Sequence, residues 1–579
     1  MFPKLTVALL PFAFITTALA VNITFDSSII PSLHSSLPVF QLRAPLRVPD
    51  SILSQIVREV PILANGTGII AQNGNRTVAV IDPDTGETTI YPRYESLQPS
   101  NGINTDGNAT FINNTDLFPG DNTHIQAILG PTLYATTHTN DGTNNSAITS
   151  SYLSHVIFQR LVRIEQDFIP IRGLGSKAIL GFGANGTVQS LNYLWNPANQ
   201  SNTTVNPVSS RQIYNSIIAQ LRPSAEIANL TVDTVELCYY DSGNSFIQPV
   251  FWFSATRHAN FSGAGNTTQA NARISGYVAV GNSSLEPLPD LTIPVNATQP
   301  TLLTNNDGSN ATVGTTSRQS SSTTSIPTSR ETTISPRGIL PTVTIGRYII
   351  RNDDAGWLAS AVSFWNNLSS YASGHVNFIN SQYYWAQPFV YTTSKQTYVN
   401  QVNVALTEGH GNWHVFSTYQ QDWSSVVRIT DIPNTGYGKG AGGQLAYWIL
   451  HSCEVIPTNT DYPADPYSSF DVWWQVFNGL HAVMGYRTEM WIDDGVTTAF
   501  GKNIARGGSV VGSWMSAVLS DQSWYAPSKG NTYVDGNRGI NEPMGRASSI
   551  SVCGHTDDVV WDVENLGRPG CLFEWWYDN

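Results

Sequence analysis

The chain has 579 residues, 41% of them hydrophobic and only 12% charged, with a net charge of -13. That length and apolar content support more than one buried core, roughly three to four domains on length alone. An acidic, lysine-poor chain with no basic stripe lacks the electrostatic footprint of a nucleic-acid binder, and no run beyond the N-terminus reaches the ~20 apolar residues of a membrane span.

Residues 1–20 read as a secretory signal peptide. Met1-Phe2-Pro3-Lys4 carries one charge, an apolar run follows, and Ala18-Leu19-Ala20 fits the small-x-small cleavage rule. Asn-x-Ser/Thr acceptors begin at Asn22, Asn65, Asn75, Asn108, Asn113, Asn144, Asn185, Asn199, Asn202, Asn229, Asn260, Asn266, Asn282, Asn296, Asn310 and Asn367. Only Asn367 lies beyond residue 340, so the first half is expected to be sugar-coated and the last part largely bare. Of the four cysteines, Cys553 and Cys571 bracket a short C-terminal loop and suit a disulfide in an oxidising compartment. Cys238 and Cys453 either pair with each other or stay free.

Residues 21–150 are expected to form a first α+β module. The run 37–42 has strand character, 52–57 has helical spacing, and 77–82 with 88–91, joined by Pro83-Asp84-Thr85-Gly86, has the pattern of a hairpin. Residues 101–145 are polar and sequon-rich, which predicts loop. Residues 151–298 are expected to form a second α+β module, with helices over 152–164 and 213–221 and strands over 178–182, 186–195, 232–240 and 248–254. The helix, the Gly-rich turn and strand after it, Tyr239-Tyr240 and Pro249-Val250-Phe251-Trp252 resemble the propeptide-like modules that precede the catalytic domains of many secreted peptidases. An ordinary β-rich accessory domain is the other reading of the same residues.

Residues 299–340 are Ser/Thr-rich with almost no core-formers, the composition of an exposed, disordered linker. Arg330 and Arg337 are candidate cut sites within it. From 341 to 579 the chain turns Trp-rich, and strands alternate with helices. Strands are expected at 347–351, from 376, at 402–406, 445–450 and 481–486. Helical spacing runs through Trp357, Leu358, Ala361, Phe364, Trp365 and Leu368, through Phe470, Trp473, Phe477 and Leu480, and over 496–504 and 513–519. This alternation predicts an α/β fold, a mostly parallel sheet with helices on both faces.

Chemistry in such sheets collects at the strands' carboxyl ends. The run 402–406 delivers Gly409-His410-Gly411, and 445–450 delivers His451-Ser452-Cys453. The order of apolar strand, His-Gly, apolar strand, Ser-Cys, amphipathic helix, apolar strand resembles the caspase-like clan of cysteine peptidases, which includes legumains, caspases and gingipains. Leu480-His481-Ala482-Val483-Met484-Gly485 and the segment from Gly507 to Trp514 look like the gingipain-type continuation. From about residue 345 onward the chain also resembles a domain family of unknown function in secreted bacterial and fungal proteins, with the same Gly-His-Gly, Cys and Gly-Leu-His landmarks. The resemblance implies a caspase-like fold with Cys453 as nucleophile and His410 as its base, or as the acid that protonates the leaving amine. It also implies an oxyanion hole from the N–H groups of Gly411 and Cys453. Taken alone, Cys453 reads equally as a buried structural thiol and His410 as a loop histidine.

Other residues qualify this reading. Glu454 opposes thiolate formation unless it points away. His451 shares a face with Cys453 if the strand continues, and its apolar flank favours a packing role. His410 and His414 have the spacing of a zinc helix, with Glu408 and His481 as further donors. Gly409 and Gly411 oppose a helix, however, and the glutamate of HExxH is absent, so no metal and no other cofactor is expected. Asp493 and Asp494 are candidates for binding a basic substrate side chain, or form a plain turn before Gly495. Trp514 is read as core or as a wall of the substrate cleft. The resulting expectation is a secreted, glycosylated cysteine endopeptidase made as a zymogen and acting on a peptide or protein, without nucleic-acid partner or membrane span. The alternative is a catalytically inactive or non-proteolytic secreted protein, binding peptide or glycan or acting as an accessory cyclase or isomerase, that uses the same cleft.

Overall fold

The computed structural model describes residues 22–32, 35–49, 52, 70–73, 76–82, 85–100, 117–140, 145–173, 175–225, 229–263, 266–289, 299–303, 340–350, 355–372, 376–418, 425–458, 461, 470–492, 494–521, 532–534 and 541–578. The expected signal peptide, most of the expected linker (304–339), Asp493, and the acceptors Asn65, Asn75, Asn108, Asn113, Asn144, Asn296 and Asn310 lie outside the described residues.

The first half is β-rich. Its strands are β1 (Leu37–Leu42), β2 (Arg76–Ile81), β3 (Thr88–Ile90), β4 (His124–Asn140), β5 (Asn145–Ile164), β6 (Asp167–Gly173), β7 (Ser176–Phe182), β8 (Val188–Trp195) and β9 (Ala198–Val205). Helix α1 (Ser210–Ala225) follows, then β10 (Asn229–Asp241), β11 (Phe246–Gly263) and β12 (Asn266–Ala279). Strands β2 and β3 form the expected hairpin, and pairing runs on through β8, β7, β5 and β4. Strand β6 joins β5 to β10, which leads into the long β10–β11–β12 meander. Helix α1 buries Ile213, Ile217, Leu221 and Ala225, one stripe at a spacing of four, against Leu230, Val232, Phe251 and Phe253. Each fully buried Ile or Leu there contributes about 1.5–3 kcal/mol.

Three sequence expectations change here. The helix expected over 152–164 is strand β5. It is buried on both faces through Val156, Ile157, Phe158, Leu161 and Val162, so its apolar run imitates helical spacing. The loop expected over 101–145 contains β4, whose Thr and Ile residues suit a half-exposed strand. A module boundary at 150/151 would cut through β5, and β1 pairs with both β9 and β11, so residues 21–150 and 151–298 interleave rather than follow one another.

The last part forms the expected alternation. Strand β13 (Thr342–Ile349), helix α2 (Ala355–Ser370), β14 (Asn377–Trp385), β15 (Val404–Glu408), β16 (Tyr447–His451) and β17 (Ala482–Tyr486) come first. Helices α3 (Gly495–Ala505) and α4 (Val510–Ser520) and strands β18 (Ala547–Val552) and β19 (Cys571–Asp578) complete it. The sheet order is β14-β13-β15-β16-β17, all parallel, followed by antiparallel β18 and β19. Helices α2, α3 and α4 all cover one face, where Trp357, Phe364, Phe500 and Trp514 meet Ile345, Leu406, Ile449 and Met484. The other face, expected to carry helices too, is covered by the one-turn helix Pro388–Tyr391, the short strand Val415–Ser417, the 3-10 turn Phe470–Trp473 and loops around Tyr437 and Phe477. The stretch predicted as a helix around 470–480 makes only the 3-10 turn Phe470–Trp473. In the separate crossover between β15 and β16, glycines 436, 438, 440, 442 and 443 work against a helix.

The two halves share one sheet. Strand β19 pairs antiparallel with β4 from Cys571 opposite Thr139 to Asp578 opposite Thr132. Lys502 of α3 and Arg506 just after it add ion pairs to Glu87 (2.5 Å) and Asp82 (2.9 Å). The expected linker is ordered at its start: Thr301 bridges to Tyr384 of β14, and Leu303 is buried.

His155 of β5 packs in this joint core. Its Nδ1 lies 2.8 Å from the Pro131 carbonyl, to which the neutral ring donates. Burial pushes its pKa down from 6.5 to about 4, against that hydrogen bond. The unfolded chain therefore takes up the proton first. The contribution to stability is full above pH 6.5 and is lost as pH falls toward 4, about 3 kcal/mol in all. In His155→Gln, the gap between melting temperatures at pH 7.5 and pH 4.5 should narrow relative to the parent chain, as read by calorimetry.

Candidate active site at the ends of two parallel strands

Strands β15 and β16 run in register, with Glu408 opposite His451. The two-residue period of a strand then sorts the side chains. Val404 and Leu406 of β15 and Tyr447 and Ile449 of β16 face the helices, whereas Ala405, Trp448 and Leu450 face the other layer. Glu408 and His451 continue the helix-facing rows and arrive side by side beneath α2.

They form a buried pair, with His451 Nδ1 2.6 Å from Glu408 Oε2. Ser360 of α2 donates to the other carboxylate oxygen at 2.7 Å and lies 2.9 Å from the hydroxyl of Thr497 in α3. Ser360 Oγ and Glu408 both approach the same imidazole nitrogen, so these three residues with Thr497 clamp two strands to two helices and do not form a serine-based relay. The rings of Trp357, Tyr486 and Trp514 enclose the imidazole.

His410 and Cys453 come two residues after the members of this pair. The His410 backbone N–H donates to Ser417 Oγ and its carbonyl accepts from the Ser417 N–H, both at 2.8 Å. These bonds start a small three-stranded sheet, Gly411–Asn412, Val415–Ser417 and Val426–Arg428, where the sequence suggested only loop. The His410 ring is 1% exposed and meets the Trp357 ring edge-on at 5.7 Å. Burial holds its pKa well below the ordinary range, and the Arg257 guanidinium of β11 adds to the effect.

Cys453 is a free thiol, 2% exposed. Burial raises its pKa well above the ordinary value, with Glu489 and Glu454 in the same direction, against an N–H bond from Met490 to Sγ at 3.4 Å. In this closed arrangement the imidazole is neutral and the thiol keeps its proton. Gly411 packs directly on the main chain of Cys453, and a side chain at 411 would collide with the Cys453 carbonyl and Ser452. After Cys453 the chain turns sharply at Glu454, whose φ of +48° is uncommon for a non-glycine residue.

A strap, residues 487–492, follows β17 and lies against Cys453 through Met490. Thr488 accepts from the Glu454 N–H, and Glu489 accepts from the Gly545 N–H. The N-terminal half holds the far end: the Ile492 N–H donates to the Arg273 carbonyl at 3.0 Å, and Trp491 packs on Trp252 with ring centres 5.6 Å apart.

The other sequence candidates are dispersed. His414 packs on Trp473 in the opposite layer from His410, so the two histidines diverge. His481 stands before β17, at the other end of the sheet. Asp494 is exposed, and its carboxylate accepts from Ser363 of α2. Trp514 is fully buried, with its indole N–H on the Gly485 carbonyl, so it walls the His451 ring and offers no cleft surface. Cys553 and Cys571 are disulfide-bonded. Cys238 is a free thiol buried with Val250, Trp252 and Trp491, and burial pushes its pKa up to about 12. Asn22, Asn185, Asn202, Asn229 and Asn282 are exposed, Asn199 is half-buried, and Asn260 and Asn266 fall on β11 and β12. Asn367 is half-buried within α2, where its amide donates to the Ser363 carbonyl.

Sequence reasoning did not pair Glu408 with His451, nor find Ser360, Arg257 and Met490. The shared two-residue offset, Glu408 to His410 and His451 to Cys453, was the available signal. Removing one member of a buried hydrogen-bonded pair leaves the other unsatisfied, at a cost of about 1–3 kcal/mol. Glu408→Ala should therefore lower unfolding free energy by about that much in denaturant titrations, and Glu408→Gln by less. Gly411→Ala should cost about 1–3 kcal/mol by forcing the two strand ends apart.

Residues 345–543 match a family model described as a domain of unknown function (DUF6345). No curated protein matches the chain. Among solved structures, an uncharacterized protein from Eubacterium rectale is similar at 9% identity and a TM-score of 0.24, over 46% of this chain and 91% of that one. The span that matches the family runs from within β13 to just before β18 and contains Glu408, His410, Gly411, His451 and Cys453.

Proposed function

We propose that the C-terminal unit is a caspase-like cysteine endopeptidase of a secreted protein, kept latent by the N-terminal half. The observation that carries this reading is the contact of Gly411 with the Cys453 main chain, at the carboxyl ends of adjacent parallel strands, with His410 next in sequence. The sheet order, five parallel strands and then antiparallel β18, supports the same fold reading.

In the opened site, water and substrate return the thiol and imidazole to reactive ranges. Cys453 passes its proton to His410 as the sulfur attacks the peptide carbonyl. The N–H groups of Gly411 and Cys453 donate to the oxyanion. His410 then gives the proton to the departing amine, and water hydrolyses the thioester to free acid and thiol. In the closed form, burial and Arg257 keep His410 from acting as a base, and Met490 occupies the sulfur. The near-complete burial of both residues also favours a second reading, a non-catalytic scaffold in which they only cement two strand ends.

Iodoacetamide labelling of the purified full-length chain, before and after cutting within 304–339, separates the two. The latent peptidase should label several-fold faster at Cys453 once cut, lose that gain in His410→Ala, and hydrolyse peptides only when Cys453 is present. Equally slow labelling in both forms, without hydrolysis, leaves the scaffold reading.

A further inference from the structure

A second cluster of reactive side chains lies away from Cys453. His481 stands just ahead of β17, at the opposite end of the sheet. His555 and Asp558 stand on the loop between β18 and β19. His481 Nδ1 is 2.6 Å and His555 Nδ1 3.0 Å from one and the same oxygen, Asp558 Oδ2. The three donor atoms lie within 4.8 Å of one another. We propose that His481, His555 and Asp558 bind a divalent cation of the zinc class.

The hydrogen bonds of His481 carry the argument. Its Nε2 lies 3.0 Å from the Glu564 carbonyl, which can only accept, so Nε2 bears a hydrogen. In the neutral ring this leaves a lone pair on Nδ1, aimed at a carboxylate oxygen 2.6 Å away. Two lone pairs at that distance need a positive centre between them. A proton there satisfies His481 and Asp558 alone, whereas a cation also engages the Nδ1 of His555. A metal-bound histidine whose other nitrogen donates to a backbone carbonyl is the usual outer-shell arrangement, since it fixes the tautomer.

Donor type and setting point to the same class of ion. Two imidazoles and one carboxylate suit zinc and its neighbours and are poor for calcium or magnesium, which take oxygen. Metal–nitrogen bonds of about 2.0–2.1 Å put tetrahedral donors roughly 3.3 Å apart, so the two contacts to Asp558 must lengthen by under about 1 Å, while the imidazole nitrogens, within 4.8 Å of each other, settle to the same spacing. The loop is held for this: the Cys553–Cys571 disulfide closes it, and the Tyr447 hydroxyl bonds the carbonyls of Val559 (2.9 Å) and Asp562 (2.8 Å). His481 is buried, but the side chains of His555 and Asp558 are 30% and 15% exposed, which leaves an approach for the ion and a water as fourth ligand.

The test uses the full-length chain, stripped with chelator and dialysed. Titration with Co²⁺ should give the visible absorption of a four-coordinate nitrogen/oxygen site at one equivalent, and Zn²⁺ should displace it. Zn²⁺ should raise the melting temperature of the parent chain. In His555→Ala, which exchanges a partly exposed ring and should leave the fold intact, both effects should vanish. In His414→Ala both should persist. Absence of stoichiometric binding by the folded parent, or binding unchanged in His555→Ala and Asp558→Asn, overturns the site and leaves a plain histidine–carboxylate pair. None of these readouts depends on peptidase activity.

Discussion

The region of the candidate site depends on the register of two parallel strands, and Glu408 with His451 sets that register. A buried carboxylate without a partner is expensive, so the strand beside the one that carries Glu408 must present a donor at the matching level. A slip of one residue would turn His451 into the Trp448 layer and leave Glu408 uncompensated beneath α2. Ser360 takes the second carboxylate oxygen, and with it the helix layer is indexed to the sheet. Gly411 and Cys453 meet because both chains leave the sheet from a fixed level.

The same burial sets the chemical state of the site. Low polarity strengthens the Glu408–His451 pair and also keeps His410 neutral and Cys453 protonated. Hydration is thus the variable that separates a structural core from a reactive centre. The N-terminal half takes part in this enclosure: Arg257 lies near His410, and Trp252 and Arg273 hold the strap that carries Met490 to Cys453.

How much of this was legible in the sequence follows from the range of each interaction. Strands β15 and β16 announce themselves because burial on both faces gives short apolar runs that end at polar or glycine residues. The same property misleads at β5, where Val156, Ile157 and Leu161 happen to fall at helical spacing. The small sheet after His410 was hidden because Gly411, Asn412 and Val415 offer no alternation to read. Pairing Glu408 with His451 needs the register between strands, and placing Arg257 by His410 needs the packing of one half on the other. Neither is encoded in a local pattern. The sequence offers His481 as a donor beside His410 and His414, whereas its neighbours in space, His555 and Asp558, arrive from a loop much later in the chain.

The β19–β4 pairing bears on how the molecule would behave as two pieces. A break anywhere in 304–339 leaves β4 in one fragment and β19 in the other, still joined along an uninterrupted ladder. Such a product would be a tight non-covalent heterodimer. Pulling it apart would bare two edge strands at once, one of them carrying Trp575 and Trp576, an invitation to aggregate. Exchange of one fragment for another would then be as slow as unfolding itself.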